Sequence, residues 1–125
     1  MKFALIPLLL ASPVVFSVQT MQNFYEVEAI KCKDLKCVRN GIDGLNHKIV
    51  ELLVQRTAYV QRAGDLKLHG TKIATDQKRI DDQINALRGE AKKLGLPETL
   101  VVETFKSIIR ESTEFEQRYI DSKQE

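Results

Sequence analysis

From about Val38 onward, apolar residues recur every three or four positions, with none of the alternation expected of a strand. Ile42, Leu45, Ile49, Leu52, Leu53, Val60, Ala63 and Leu66 fall on one stripe. The pattern predicts a first helix over about 36–68, stopped near His69 and Gly70. Gly41, Gly44 and Gly64 weaken it locally without erasing the period. A second stripe, Ile80, Ile84, Leu87, Ala91 and Leu94, predicts a second helix with Thr75 as N-cap and Gly95 at C′. Pro97 stands where the first turn of a third helix begins, and that helix carries Val101, Phe105, Ile108, Ile109, Phe115 and Tyr119. The fold class is therefore all-α, with one long helix and two shorter ones.

Length adds a constraint. A helix over 36–68 is about 48 Å long, whereas a domain of roughly 100 residues has a radius of gyration near 13 Å. Two shorter helices cannot cover such a rod along all its apolar length. A second copy of the chain is the simplest cover, so an obligate homodimer is expected.

The N-terminus is of another kind. Met1 and Lys2 form a short basic start, Phe3 to Phe16 is almost wholly apolar, and Ser17 is a small residue at a plausible cleavage point. Pro7 and Pro13 break a run already too short to span a bilayer easily. Residues 1–17 thus read as a secretory signal peptide, with an uncleaved anchor as the rival. Residues 18–36 read as an N-terminal extension, and 37–125 as the functional domain. The expected location is periplasmic or secreted, with no membrane association after cleavage. In an oxidising compartment Cys32 and Cys37, the only two cysteines, are expected to form a local disulfide.

Composition excludes more than it assigns. Lys and Arg number 19 against 17 Asp and Glu, and loss of Lys2 with the leader leaves 18 − 17 = +1. No basic excess with interleaved aromatics marks a nucleic-acid surface. His47 and His69 have no metal-ligand spacing and read as surface residues; no metal site is expected.

The informative residues are charged ones at positions the periodicity assigns to the interior. Arg56 and Lys67 continue the first stripe; eleven residues apart, they differ by about 20° around the helix and roughly 16 Å along it. Ser112 and Glu116 do the same on the third helix. Asp76 and Arg79 open the second at i, i+3, where their side chains can meet. The run from Lys78 to Asp82 is otherwise a solvated face. Buried charge is costly unless paired or met by a ligand, so Arg56, Lys67 and Arg79 converging suggest a small, multiply anionic substrate. The plainer alternative is rim charges reaching water.

These residues also carry a resemblance. From Arg39 to about Tyr119 the chain resembles the AroQ-class chorismate mutases without a gap. Arg39-x-x-Ile42-Asp43-x-Leu45-Asn46-x-x-Ile49 resembles the family's first-helix signature. Leu52-Leu53-Val54-Gln55-Arg56 resembles its LL-x-x-R element, and Lys67 falls at its site lysine. Asp76-Gln77-Lys78-Arg79 resembles its D-x-x-R entry to the second helix, and Phe105 to Ser112 its F-x-x-I-I-x-x-S. Each element is weak alone; in order and in register they are specific.

The resemblance implies an intertwined homodimer that converts chorismate to prephenate by a [3,3]-sigmatropic rearrangement, without cofactor or metal. By the match, Arg56, Lys67 and Arg79 hold the two carboxylates and the ether oxygen, and Asp76 and Ser112 position the hydroxyl and carboxylate ends. Lys67 and residue 116 face the ether oxygen, and Arg39 enters the site of the other subunit. Helix geometry agrees with that last point, because Arg39 and Lys67 lie about 42 Å apart on one helix. Two positions depart from the commonest pattern. Glu116 replaces a glutamine, and a glutamate donates a hydrogen bond only when protonated; the expectation is a neutral Glu116 and activity that falls as pH rises. Ile80 replaces a glutamate that meets the substrate hydroxyl, a change reminiscent of isochorismate-pyruvate lyases on the same fold; Gln83, one turn on from Arg79, is a candidate substitute. A non-enzymatic exported helical dimer is the reading from another class.

Overall fold

The computed structural model describes residues 28–124. The signal peptide read at 1–17 and the extension up to residue 27 lie outside the described residues. After a helical stretch at residues 28–30, three helices follow in order among the described residues: α1 Leu35–Lys67, α2 Gln77–Leu94 and α3 Glu98–Ser122. No strand occurs among the described residues, so the all-α expectation of one long and two shorter helices holds. None of the described helices is long and apolar enough to cross a membrane.

The chain separates into a unit ending at Val38 and a unit beginning at Arg39. In the first, Cys32 and Cys37 form a disulfide with Cα atoms 5.4 Å apart, within the usual span of such bridges. The Asp34 carboxylate accepts the backbone N–H of Cys37 at 2.8 Å, which satisfies one of the unpaired donors at the start of α1.

The second unit holds the rest of α1 with α2 and α3. A helix of 33 residues is about 50 Å long, and only Gly64 in it is buried. Ile42, Leu45, Ile49 and Leu52, all on the expected stripe, are each more than half exposed in the single chain. Their period is helical and their cover is missing, because two shorter helices reach only the C-terminal part of the rod.

The N-cap of α2 is Asp76, one residue later than Thr75, the N-cap expected from sequence. Asp76 has extended backbone (φ −127°, ψ 95°), and its carboxylate accepts the Arg79 N–H at 2.9 Å. Both residues are good caps by type; the backbone turns into the helix only after Asp76. At the other end Gly95 is left-handed at φ 70°, with Gly95 N donating to Lys92 O and Leu96 N to Ala91 O. This paired closure favours glycine because a Cβ is disfavoured there. Pro97 precedes α3 as its N-cap instead of sitting in its first turn.

α2 and α3 pack through Ile84, Val102 and Ile109, with Ile80 and Phe105 against them. On α3 the buried positions are Val102, Ile109, Glu116 and Ile120. The expected Val101 is thus replaced by its neighbour, and Ile120 extends the stripe beyond Tyr119. The interior here is small, and the second unit has no large apolar core of its own.

α1 meets α3 at Gly64. A Cβ there would lie 3.0 Å from Cδ1 of Tyr119, and the Tyr119 hydroxyl donates to the Asp65 carboxylate, which fixes the ring. The glycine costs helix propensity, about 1 kcal/mol relative to alanine, and in return lets the Tyr119 ring pack directly on α1. Gly89, with nothing within 4 Å of a built Cβ, has no such reason. Gly64→Ala is therefore expected to lose about 1 kcal/mol of stability despite its better propensity, while Gly89→Ala gains about 0.5–1 kcal/mol. Urea unfolding of both variants at one protein concentration checks this; a stabilised Gly64→Ala would refute the close crossing.

Candidate functional site

A cavity of about 400 Å³ opens between the C-terminal half of α1, the start of α2 and the middle of α3. Arg56 and Lys67 from α1, Asp76 and Arg79 from the entry to α2, and Ser112 and Glu116 from α3 all line it. Six of the seven positions singled out in the sequence are thereby brought together, although they span sixty residues of chain. The seventh, Arg39, is exposed near the N-terminal end of α1 and does not line it. Twenty-eight residues of helix, about 42 Å, separate it from Lys67.

Each side chain has a local reason for its place. Arg56 and Lys67 share a face of α1 because eleven residues nearly complete three turns. The Arg56 guanidinium donates from Nη1 to the Ser112 hydroxyl at 2.6 Å, which ties α1 to α3 across the cavity. Lys67, in the last turn of α1, donates from Nζ to the carbonyl of Ala74 at 2.7 Å. Its ammonium also lies 3.0 Å from Oε1 of Glu116. Asp76 meets the backbone N–H of Arg79 instead of its guanidinium, so the side-chain contact expected at i, i+3 is a helix cap. The Arg79 side chain is left to face the cavity.

Glu116 is the unusual member. It is 7% exposed and is the one charged residue in the buried set among the described residues. Its Oε1 stands at ion-pair distance from Lys67 yet makes no hydrogen bond. Charge attraction is present, but the alignment that a hydrogen bond needs is absent. A buried oxygen with unused capacity is costly, and this one belongs to a residue that lines the cavity. Among the described residues, neither Arg56 nor Arg79 has a carboxylate within ion-pair distance. Two guanidinium groups and an ammonium thus face one cavity holding two carboxylates, of which Asp76 is committed to its cap. The arrangement suits a ligand with separated negative charges and a polar oxygen near the Lys67–Glu116 pair.

Gln83, Ile80, Tyr59 and Thr113 also line the cavity. Ile80 is held against the Ile84–Val102–Ile109 cluster, so its apolar character serves the packing of α2 on α3. Gln83 reaches the same cavity one turn later, as helical spacing allows. Sequence reasoning missed Thr113, whose hydroxyl donates to the Ile109 carbonyl at 2.8 Å, and Gln117, which bonds the α1–α2 loop. Neither carries a motif; their positions follow from the azimuth of α3 against α1. His47 and His69 are exposed, as expected, and stand apart from the cavity.

Residues 38–117 match the family described as chorismate mutase type II. No curated protein and no solved structure matches the chain significantly. The matched segment begins within the first turns of α1 and ends one residue past Glu116, so it contains every residue assigned to the cavity.

Removing Lys67 should expose the cost of the buried carboxylate. Lys67→Met is expected to lower stability by about 1–3 kcal/mol at neutral pH, and Glu116→Gln in the same chain to recover most of it. Urea unfolding at fixed protein concentration reads both variants; equal stability of Lys67→Met and the parent would contradict the pairing.

Proposed function

The chain belongs to the type II chorismate mutases, and from that membership together with the cavity we propose that it rearranges chorismate to prephenate. The single observation that carries the reading is the convergence of Arg56, Lys67 and Arg79 on one cavity, with Glu116 beside the lysine. Chorismate has two carboxylates and an ether oxygen, which is the charge pattern such a cavity fits.

The reaction needs no group from the protein to enter or leave the substrate. A C–O bond breaks as a C–C bond forms, within one molecule. The protein's task is to hold a flexible side chain folded over the ring and to stabilise the charge that grows on the ether oxygen. Arg56 and Arg79 bind carboxylates and so restrict the conformers, an entropic contribution. Lys67 donates to the ether oxygen as the bond lengthens, an electrostatic one. Its position is set before substrate arrives by the Ala74 carbonyl and Glu116. Asp76 and Ser112 position the two ends of the substrate. Gln83 meets the ring hydroxyl, since Ile80 is turned into the packing between α2 and α3.

The active species is a homodimer in which Arg39 completes the partner's cavity. The uncovered stripe from Ile42 to Leu52 supports this, as does the distance between Arg39 and the cavity of its own chain. The signal peptide read at residues 1–17 and the Cys32–Cys37 disulfide fit a periplasmic or secreted enzyme.

Purified mature protein is expected to turn chorismate into prephenate. Loss of chorismate without prephenate, or turnover of isochorismate alone, would replace the reading with the lyase; silence on both would leave a binding module. Arg39→Ala and Lys67→Ala are each expected to be inactive as pure dimers. Co-refolding the two in equal amounts should restore about a quarter of the parent activity, since half of the dimers are mixed and each has one intact site. No recovery would argue against the shared site.

A further inference from the structure

The loop between α1 and α2, residues 68–76, sets the place of two cavity residues. Its Ala74 carbonyl accepts from Lys67 Nζ at 2.7 Å, and it ends at Asp76, the cap of the helix that bears Arg79. The loop backbone is not relaxed. Lys72 is left-handed at φ 56°, the one non-glycine residue so placed among the described residues, at a cost of about 1–2 kcal/mol. Something must hold it.

The Lys67 carbonyl accepts the Lys72 N–H at 3.1 Å, and the far side of the loop is held by the amide of Gln117 on α3. Its Oε1 accepts the Ala74 N–H at 2.8 Å, and its Nε2 donates to the Lys72 carbonyl at 3.2 Å. The second hydrogen of Nε2 goes to Oδ1 of Asp121 at 2.9 Å. The two ends of the amide are told apart by their partners. A backbone N–H can only donate, and a carboxylate without a proton can only accept. Asp121 thereby orients the amide, and the amide grips the loop on both sides of Ile73, much as a neighbouring strand would. Glu116 and Gln117, adjacent on α3, hold Lys67 from two directions: the carboxylate through the ammonium, and the amide through the loop whose Ala74 carbonyl receives it.

We propose that Gln117 is a positioning residue for the rearrangement, fixing the α1–α2 loop so that the Ala74 carbonyl aims the Lys67 ammonium at the reacting oxygen. The proposal rests on the chorismate mutase reading for its kinetic consequence, but its structural core does not. Lys67 acts on charge that grows in the transition state, so misplacing it should reduce kcat more than it weakens binding. Small displacements of a catalytic group can cost up to about a hundredfold in rate.

The test is Gln117→Met, which keeps length and removes both loop bonds, set against Asp121→Leu, which removes only the orienting partner. Gln117→Met is expected to lower kcat about tenfold or more with KM changed less than about threefold. The variant should retain the helical content of the parent. Its Ala74 amide should exchange with solvent faster, and its Lys67 side-chain nitrogen resonance should shift. Asp121→Leu should move each readout the same way and by less. Unchanged Ala74 exchange and Lys67 resonance in Gln117→Met would overturn the proposal, whatever the activity. A lower melting temperature with parental kcat would also overturn it, since that marks a structural role only. If the parent itself does not act on chorismate, the functional reading fails separately, and the exchange and resonance measurements still decide whether Gln117 places Lys67.

Discussion

The ion pair between Lys67 and Glu116 organises the functional half of the molecule. A carboxylate on α3, nearly excluded from water, sits opposite an ammonium in the last turn of α1. Burial of charge at this depth persists when it is paired, so α1 and α3 must cross where the two groups meet. Gly64 allows that crossing by presenting no Cβ to Tyr119, and the Tyr119–Asp65 and Arg56–Ser112 bonds hold it on either side. The cavity is what remains between helices joined at these polar points. It is lined by charge because charge set the spacing.

An arrangement of this kind has an energetic consequence. The second unit buries few large apolar side chains: Ile84, Val102, Ile109 and Ile120, with small residues beside them. Much of its apolar surface lies along α1, facing outward. A fold that leaves its longest helix uncovered gains stability when another surface covers it. In the proposed dimer this requirement and the need for Arg39 in the cavity are met by one event. Assembly would then complete the core and the site together.

The lack of a hydrogen bond to Glu116 Oε1 belongs to the same logic. A side chain satisfied by its neighbours has nothing to offer a ligand. Here the ammonium is within reach of the carboxylate and is also bound to the Ala74 carbonyl. The pair is held close and left incompletely satisfied, and the unused capacity belongs to a residue that lines the cavity. The loop that supplies the Ala74 carbonyl is therefore as much a part of the site as the helices are.

Much of this was legible along the chain. The period of apolar residues determined three helices and their approximate ends, since amphipathic spacing and turn residues such as Gly95 act locally. Arg56, Lys67, Ser112 and Glu116 stood out because charge or hydroxyl occupied positions where the period called for apolar side chains. Two local readings were off by a residue, Thr75 for Asp76 and Val101 for Val102, because a cap and a buried face depend on where the backbone turns. Other features had no local signature. Gln117 is an ordinary polar residue until α3 is placed against a loop more than forty positions earlier. Gly64 reads as a weakness in a helix until Tyr119 packs on it. The sequence by itself determined which helices form and which charges they carry inward. Only the tertiary structure decided which backbone groups those charges meet, because such contacts depend on the crossing and rotation of helices distant in sequence, which no local period encodes.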